Sequence, residues 1–248
     1  SKKIFKNKLL YFAGSLPSEK SPIGIDVGLI SAYNYAHIPS LFKKKYALPN
    51  EVFRDREIFF KWAPLYALAN DISVFIAITP SIIERFLLEI TNNRSFYIQQ
   101  INHPKVPENF PQVTFTKDRI HFLKKALEQA VITIALLWPN FELLVCWKTA
   151  TCGMQLKNLM PYIKDIKVQD AIYSATEGWM TVPQSLGSNG GALHLGGHVY
   201  EFIEYGLEIK PENLIKPWEL TICKKYEIFL TTSMGFIRYR LYDIIICN

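Results

Sequence analysis

The 248-residue sequence predicts an α/β fold: a layered, largely parallel sheet with helices, followed by a smaller β-rich lobe. Three observations carry this. Short β-branched apolar runs alternate with helical patterns between residues 72 and 173, as strands and helices do around a parallel sheet. Beyond Val182 the texture changes to shorter strand-like runs separated by turn residues. Apolar residues make up 49% of the chain and aromatics 14%, enough for a core that needs no staples, since a chain of this size buries about 70–75% of its unfolded surface. Residues 1–182 are expected to form the α/β part of a large domain, and residues 183–248 its β-rich lobe.

The elements follow in order. Leu9-Leu10-Tyr11-Phe12-Ala13, stopped by Gly14-Ser15, predicts a buried strand, and the Gly, Pro and Ser residues up to Gly28 predict a long loop. Aromatics mixed with Pro39 over residues 29–48 predict short helices. Ile58, Phe59, Trp62, Leu65, Tyr66 and Ala69 recur at steps of three and four, predicting a helix over 56–70 with a kink at Pro64. Residues 72–78 are short and β-branched, hence a core strand. Thr79-Pro80-Ser81 then offers an N-cap hydroxyl and a helix-starting proline, with the helix expected over 82–91. Residues 92–111, polar and punctuated by Pro104, Pro107 and Pro111, predict a connecting or substrate-side insertion. A long helix is predicted over 118–137, a strand over 141–147, a helix over 153–160 and a strand over 168–173. In the second lobe, strands are predicted over 199–203, 218–223, 226–231 and 236–246.

A formal charge of +6 and a pI near 9.0 suit an anionic partner only when the charge gathers on a recognisable module. Here it is dispersed. Two local clusters, residues 2–8 and Lys43-Lys44-Lys45, could touch phosphates or acidic lipid but read better as solvated lysines, so no nucleic-acid partner is expected. No apolar run reaches the roughly 18 residues of a membrane span. The four scattered cysteines, Cys146, Cys152, Cys223 and Cys247, form no CxxC pair, and a reducing, cytoplasmic setting is expected. The five histidines lack the spacing of a structural zinc site.

Two strings carry chemistry. The strand predicted over 168–173 runs into Ser174-Ala175-Thr176-Glu177-Gly178, setting a hydroxyl and a carboxylate just past a strand's C-terminal end, where open α/β sheets bind ligands. A hydroxyl such as Thr176 can donate to a phosphate oxygen, a carboxylate such as Glu177 can hold Mg²⁺, and Tyr173 can stack on a base. The second string, residues 235–243, alternates as a half-buried strand and ends at Asp243, a carboxylate able to accept from both ribose hydroxyls. Each string alone is a common pattern: a capped turn, or a surface acid on a strand. Their order and separation make the pair informative.

With these strings, Leu137-Trp138-Pro139-Asn140, Cys146-Trp147 and His198-Val199-Tyr200-Glu201-Phe202-Ile203, the sequence resembles the auxin-responsive acyl acid amido synthetases and their bacterial members. That family belongs to the adenylate-forming superfamily of acyl-CoA synthetases, adenylation domains and luciferase. The resemblance implies the fold of their large domain and a ligase that adenylates a small carboxylic acid, then transfers the acyl group to an amino acid or other amine, using ATP, with AMP as the adenylate's nucleotide, and Mg²⁺. It implies that Tyr173 contacts adenine, Thr176 the α-phosphate, Glu177 the metal, and Asp243 the ribose. Arg240 would support the second-motif loop or the ribose. Trp147 would lead into a loop walling the adenine and acyl pocket, and His198 would face the acyl site. For His198, a histidine satisfied on a strand stands as an equal alternative.

The sequence also departs from the family. Tyr242 stands where the family usually has glycine. The phosphate-wrapping loop expected ahead of Leu9, and the lid expected beyond Asn248, have no counterpart in these residues, so the chain is expected to be an inactive portion of a longer enzyme. The competing expectation is a non-catalytic nucleotide- or acyl-binding module that kept the fold.

Overall fold

The computed structural model describes residues 6–17 and 19–248. They fall into two compact units, Ser1–Ala171 with Ser185–Asn189, and Ile172–Gln184 with Gly190–Asn248. The first unit runs β1 (Lys8–Tyr11), a small hairpin of β2 (Glu19–Lys20) and β3 (Asp26–Val27), α1 (Ile30–Ala36), α2 (Ser40–Lys43), α3 (Arg56–Leu68), β4 (Ile72–Ile76), α4 (Pro80–Asn92), α5 (Arg94–Asn102), α6 (Lys117–Leu127), α7 (Ile134–Leu137), β5 (Leu143–Cys146), α8 (Ala150–Ile163) and β6 (Lys167–Asp170).

Its sheet has the order β1-β4-β5-β6 with every pairing parallel. A parallel sheet is covered on both faces, so its central strands read as unbroken apolar runs. In β4, Ile72, Ser73, Val74 and Phe75 are all buried, and Phe75 faces both Leu10 and Leu144 across the ladder. Trp138 is fully buried. Its indole N–H donates to the carbonyls of Ala67 and Asn70, each at 3.1 Å, while its ring meets Phe75 at 5.2 Å. A buried tryptophan must satisfy that N–H, and the end of α3 supplies the acceptors.

Helix α3 continues through Pro64 to Leu68, capped by Asp55, whose Oδ1 accepts from the Ile58 N–H at 2.8 Å. Thr79 does precede α4, but its hydroxyl lies 3.2 Å from that of Ser81, and no side-chain cap bond forms. The expected insertion over 92–111 contains a helix, α5, whose Tyr97, Gln100 and Ile101 are buried. The single helix expected over 118–137 is broken after Leu127. At the break, the Arg94 guanidinium donates to the carbonyls of Gln129 (2.7 Å) and Ala130 (3.0 Å), and Thr133 caps the next turn through the Leu136 N–H at 3.2 Å. The break thus keeps its backbone groups paired.

The second unit contains β7 (Ser174–Ala175), β8 (Gly178–Trp179), β9 (Thr181–Val182), β10 (Ala192–Leu193), β11 (His198–Glu204), β12 (Lys225–Thr232) and β13 (Tyr239–Ile246). The last three form an antiparallel sheet in that order. Alternate residues Tyr200 and Phe202 on β11, with Tyr226, Ile228 and Leu230 on β12, build a small core with Met180. That is the period of two expected of a sheet with one buried face. The strand expected over 168–173 ends at Asp170, and Tyr173 belongs to the second unit. The strand expected over 218–223 is absent. A 3-10 turn spans Pro217–Glu219, Trp218 is 81% exposed, and the Thr221 N–H donates to the Tyr226 hydroxyl at 2.9 Å. Among the described residues, no helix is long and apolar enough to cross a membrane.

Candidate functional site

Tyr173 is fixed by its own backbone before its side chain is considered. Its N–H donates to Thr181 Oγ1 at 3.0 Å, and its carbonyl accepts from Met180 N–H at 2.9 Å and Thr181 N–H at 3.3 Å. These bonds close the base of the β7–β8 hairpin, where Ser174 faces Trp179 and Ala175 faces Gly178. Thr176 and Glu177 are therefore the tip of the turn, Thr176 exposed and Glu177 half-buried.

The Tyr173 ring packs against the small core, and its hydroxyl donates to Asp243 Oδ2 at 2.6 Å. Burial foremost, then the hydrogen bond to Asp243 and the charges of Asp243 and Glu177, push the phenol well above the usual tyrosine range. It stays a donor throughout the physiological range. Asp243 is exposed and keeps acceptor capacity beyond that bond.

Asp243 is aimed by a bulge in β13. Glu227 pairs with Ile244 and Phe229 with Arg240, so residues 241–243 stand opposite Ile228 alone. Such an insertion bends a strand and redirects its side chains. Tyr242, within the bulge, has φ +62°, the left-handed region that glycine enters freely and tyrosine enters at a cost. A glycine would take this conformation freely, whereas Tyr242 holds it under strain.

Arg240 turns toward Glu227, pairing with Oε2 at 2.7 Å through Nε, and its guanidinium sits 4.4 Å from the Tyr242 ring centre. Tyr239 was not among the residues singled out from the sequence. Its phenol is raised above its ordinary value first by the charge of Glu177 and then by a hydrogen bond to it. The one sequence signal was its place at the start of the string ending in Asp243. Two tyrosine–carboxylate pairs, Tyr173 with Asp243 and Tyr239 with Glu177, therefore lie in one unit.

His198 opens β11 opposite Thr232. A Cβ on Gly178 would fall 2.4 Å from His198 Nε2, so the hairpin backbone lies directly on the imidazole, an approach that only glycine permits. His198 Nδ1 is shielded from solvent and has no hydrogen-bond partner. Trp147 lies in the first unit beyond β5, its N–H donating to the Ile78 carbonyl at 3.0 Å. Tyr173, Thr176, Glu177, His198, Arg240 and Asp243 all lie in the second.

A further cluster escaped the sequence reading. The nearly buried Glu201 carboxylate accepts from Arg238 Nε at 2.8 Å, Arg238 Nη2 at 3.1 Å and Lys216 Nζ at 2.7 Å. Those bonds hold it below the usual carboxylate range. Arg238 immediately precedes Tyr239 and is itself left-handed, with φ +48°.

Among the described residues, no three His, Cys, Asp or Glu side chains gather into a metal-binding group. Mg²⁺ needs no such cage, because it is commonly held by one or two carboxylates together with substrate phosphates. A half-buried carboxylate at a hairpin tip, as Glu177 is, fits that mode.

Residues 1–168 match the GH3 family N-terminal domain and residues 191–248 the GH3 family central domain. The jasmonoyl-L-amino acid synthetase JAR4 of Nicotiana attenuata is 30% identical over 120 residues, which cover 44% of this chain and 20% of that protein. Two solved structures share the fold. The GH3.15 acyl acid amido synthetase in complex with 2,4-DB has a TM-score of 0.76 at 13% identity, over 98% of this chain and 45% of that one. A second GH3.15 structure has a TM-score of 0.76 at 13% identity, over 99% and 47%. The chain therefore spans less than half the length of these synthetases. With its N-terminal and central domains matched in order along most of its length, the chain belongs to the GH3 family.

Proposed function

We propose that the chain is the large-domain portion of an ATP-dependent acyl acid amido synthetase. In this reading a carboxylic acid attacks the α-phosphate of ATP, pyrophosphate leaves, and the acyl group then passes from AMP to the amine of an amino acid. The observation that most supports it is the 2.6 Å bond from Tyr173 to Asp243, which joins the two strings that the chemistry requires.

Asp243 accepts from the ribose hydroxyls while Tyr173 fixes its carboxylate and offers its ring to adenine. Thr176, at the exposed hairpin tip, donates to the α-phosphate. Glu177, at the hairpin tip, would hold Mg²⁺, which when bound neutralises phosphate charge. Arg240 supports the strand that presents Asp243, and His198 backs the hairpin beside the acyl site. The relative that conjugates a jasmonoyl group to an amino acid supports an amino acid as acceptor. Four free cysteines support a reducing, cytoplasmic setting.

ATP–pyrophosphate exchange across a panel of carboxylic acids, run on the intact protein, tests this. Glu177→Ala is expected to lower exchange by about 100-fold, the scale on which loss of one preorganised electrostatic group acts. Full activity in that variant removes Glu177 from the site.

The left-handed Tyr242 beside Asp243 favours a second reading, a binding module that kept the fold without turnover. Calorimetry with AMP separates the two: binding without exchange supports the module, and no binding counts against both.

A further inference from the structure

The two lysine clusters that look unrelated in the sequence meet in space. Residues 45–47 run alongside β1: the Leu9 N–H donates to the Lys45 carbonyl at 2.7 Å, and the Ala47 N–H to the Leu9 carbonyl at 2.9 Å. This sets Lys8 beside Lys44, 36 positions later, and the Lys8 ammonium donates to the Lys44 carbonyl. Lys6, Lys8, Lys44 and Lys45 thereby line one open cavity of about 510 Å³, with Leu41 and Asp71 in its wall.

Four lysines on the wall of one hollow gather like charge, which an anion bound there relieves. Asp71 is the one carboxylate among the described lining residues, and a single carboxylate, its Oδ1 shielded from solvent with no hydrogen-bond partner, offsets only part of the lysine charge. Its Oδ2 accepts from the Asn140 amide at 2.7 Å. Arg119, held by the carbonyls of Leu68 (2.9 Å) and Asn70 (3.2 Å), also acts on Asp71 electrostatically. Burial lowers that guanidinium only to about 10, so it is charged at neutral pH. The cavity therefore keeps a net positive field of several charges. A compact ligand carrying several negative oxygens matches it, since lysines act as flexible point charges toward phosphate.

We propose that this cavity binds a multivalent phosphate group, carried by a free polyphosphate or by the phosphorylated headgroup of a lipid. The site belongs to the first unit, the carboxylates assigned above to nucleotide and metal belong to the second, and the proposal does not depend on the synthetase activity.

Calorimetry of the full chain with tripolyphosphate tests it at about 100 mM salt, where unspecific surface attraction is largely screened. The double variant Lys44→Gln/Lys45→Gln is expected to bind about tenfold more weakly. The control Lys125→Gln/Lys157→Gln, which removes the same charge from exposed positions on α6 and α8, is expected to change affinity by less than about twofold. Flotation with phosphatidylcholine vesicles, with and without phosphatidylinositol 4,5-bisphosphate, separates the sources. Tripolyphosphate binding alone identifies a free ligand, and vesicle capture lost in the same variant identifies a headgroup. Should the double variant fail to fold by circular dichroism, Lys6→Gln carries the comparison. Equal losses in variant and control, or absence of binding to both probes, overturns the proposal.

Discussion

Tyr173 and Asp243, 70 positions apart, share a 2.6 Å hydrogen bond that joins the base of the Thr176–Glu177 hairpin to the bulge of β13. A neutral phenol held on a carboxylate fixes that carboxylate's direction while leaving its other oxygen open. Tyr173→Phe is expected to lower stability by about 1 kcal/mol, the usual net worth of one such bond. In the intact protein AMP binding should weaken by about fivefold as Asp243 loses its orientation. An unchanged Kd by calorimetry would mean that the phenol does not position Asp243.

Tyr242 gives a prediction in which opposing terms nearly cancel. Relief of its left-handed strain on mutation to glycine contributes about 1–2 kcal/mol. The greater chain entropy of glycine takes back about 0.5–1 kcal/mol, and loss of the Arg240 guanidinium contact about 0.5–1 kcal/mol. Tyr242→Gly should therefore leave the urea midpoint almost unchanged. Tyr242→Val loses the Arg240 contact and places a β-branched residue at φ +62°, so its stability should fall by about 1–2 kcal/mol.

Glu201 holds Arg238 and Lys216 through a carboxylate whose side chain is 7% exposed. Because Arg238 and Lys216 are themselves 53% and 41% exposed, water recovers part of what they lose. Glu201→Ala is expected to cost about 1–2 kcal/mol in urea denaturation. The carboxylate's folded pKa lies below its ordinary value, so its contribution is present above about pH 4.5 and is lost as pH falls through the lower folded value. Wild type should accordingly lose its advantage over Glu201→Ala in acid.

At the alkaline end the sign reverses. Burial pushes the Cys146 thiol up to about 12 and the Tyr66 phenol up to about 12, with Tyr35, Tyr97 and Tyr173 also raised. The unfolded chain releases these protons first, from about pH 9 for the thiol and pH 10 for the phenols. Stability should fall with rising pH across that window, by about 1.4 kcal/mol per pH unit for each group titrating. Arg119, lowered to about 10, acts in the opposite sense but offsets only one of them. Urea midpoints between pH 8 and 11 check the slope.

The same burial makes the thiols unequal. Cys223 is exposed, whereas Cys146 and Cys152 are buried. A thiol-reactive dye should label Cys223 rapidly in the folded protein and reach Cys146 only on unfolding. Rapid labelling of Cys146 would contradict its place on the sheet.

Strands β4 and β5 were readable because a strand packed on both faces needs apolar residues at nearly every position, and Ile72–Ile76 and Leu143–Cys146 supply them. Helix α5 was not readable, because most of Arg94–Asn102 is polar and three prolines follow closely. The apolar Trp218 and Ile222 suggested a strand, yet both are largely exposed, and strand preference expresses itself only where a partner and a buried face exist. At the site, the hydroxyl, the two carboxylates and Tyr173 were visible as residue types at a turn and on a strand. The grip of Tyr239 on Glu177 was not. It relates the tip of the β7–β8 hairpin to the start of β13, residues too far apart in sequence for any local pattern to mark.

The pentapeptide Ser185–Asn189 belongs with the first unit although the residues on either side of it belong to the second. It is pinned there by Gly187, whose carbonyl accepts from Lys148 Nζ at 2.8 Å and whose N–H donates to Gln169 Oε1 at 3.0 Å. The polypeptide consequently passes between the units at three points, so no single protease cut can release either one whole. A nick near Ala171 would still leave the hairpin bearing Thr176 and Glu177 tethered through its downstream end.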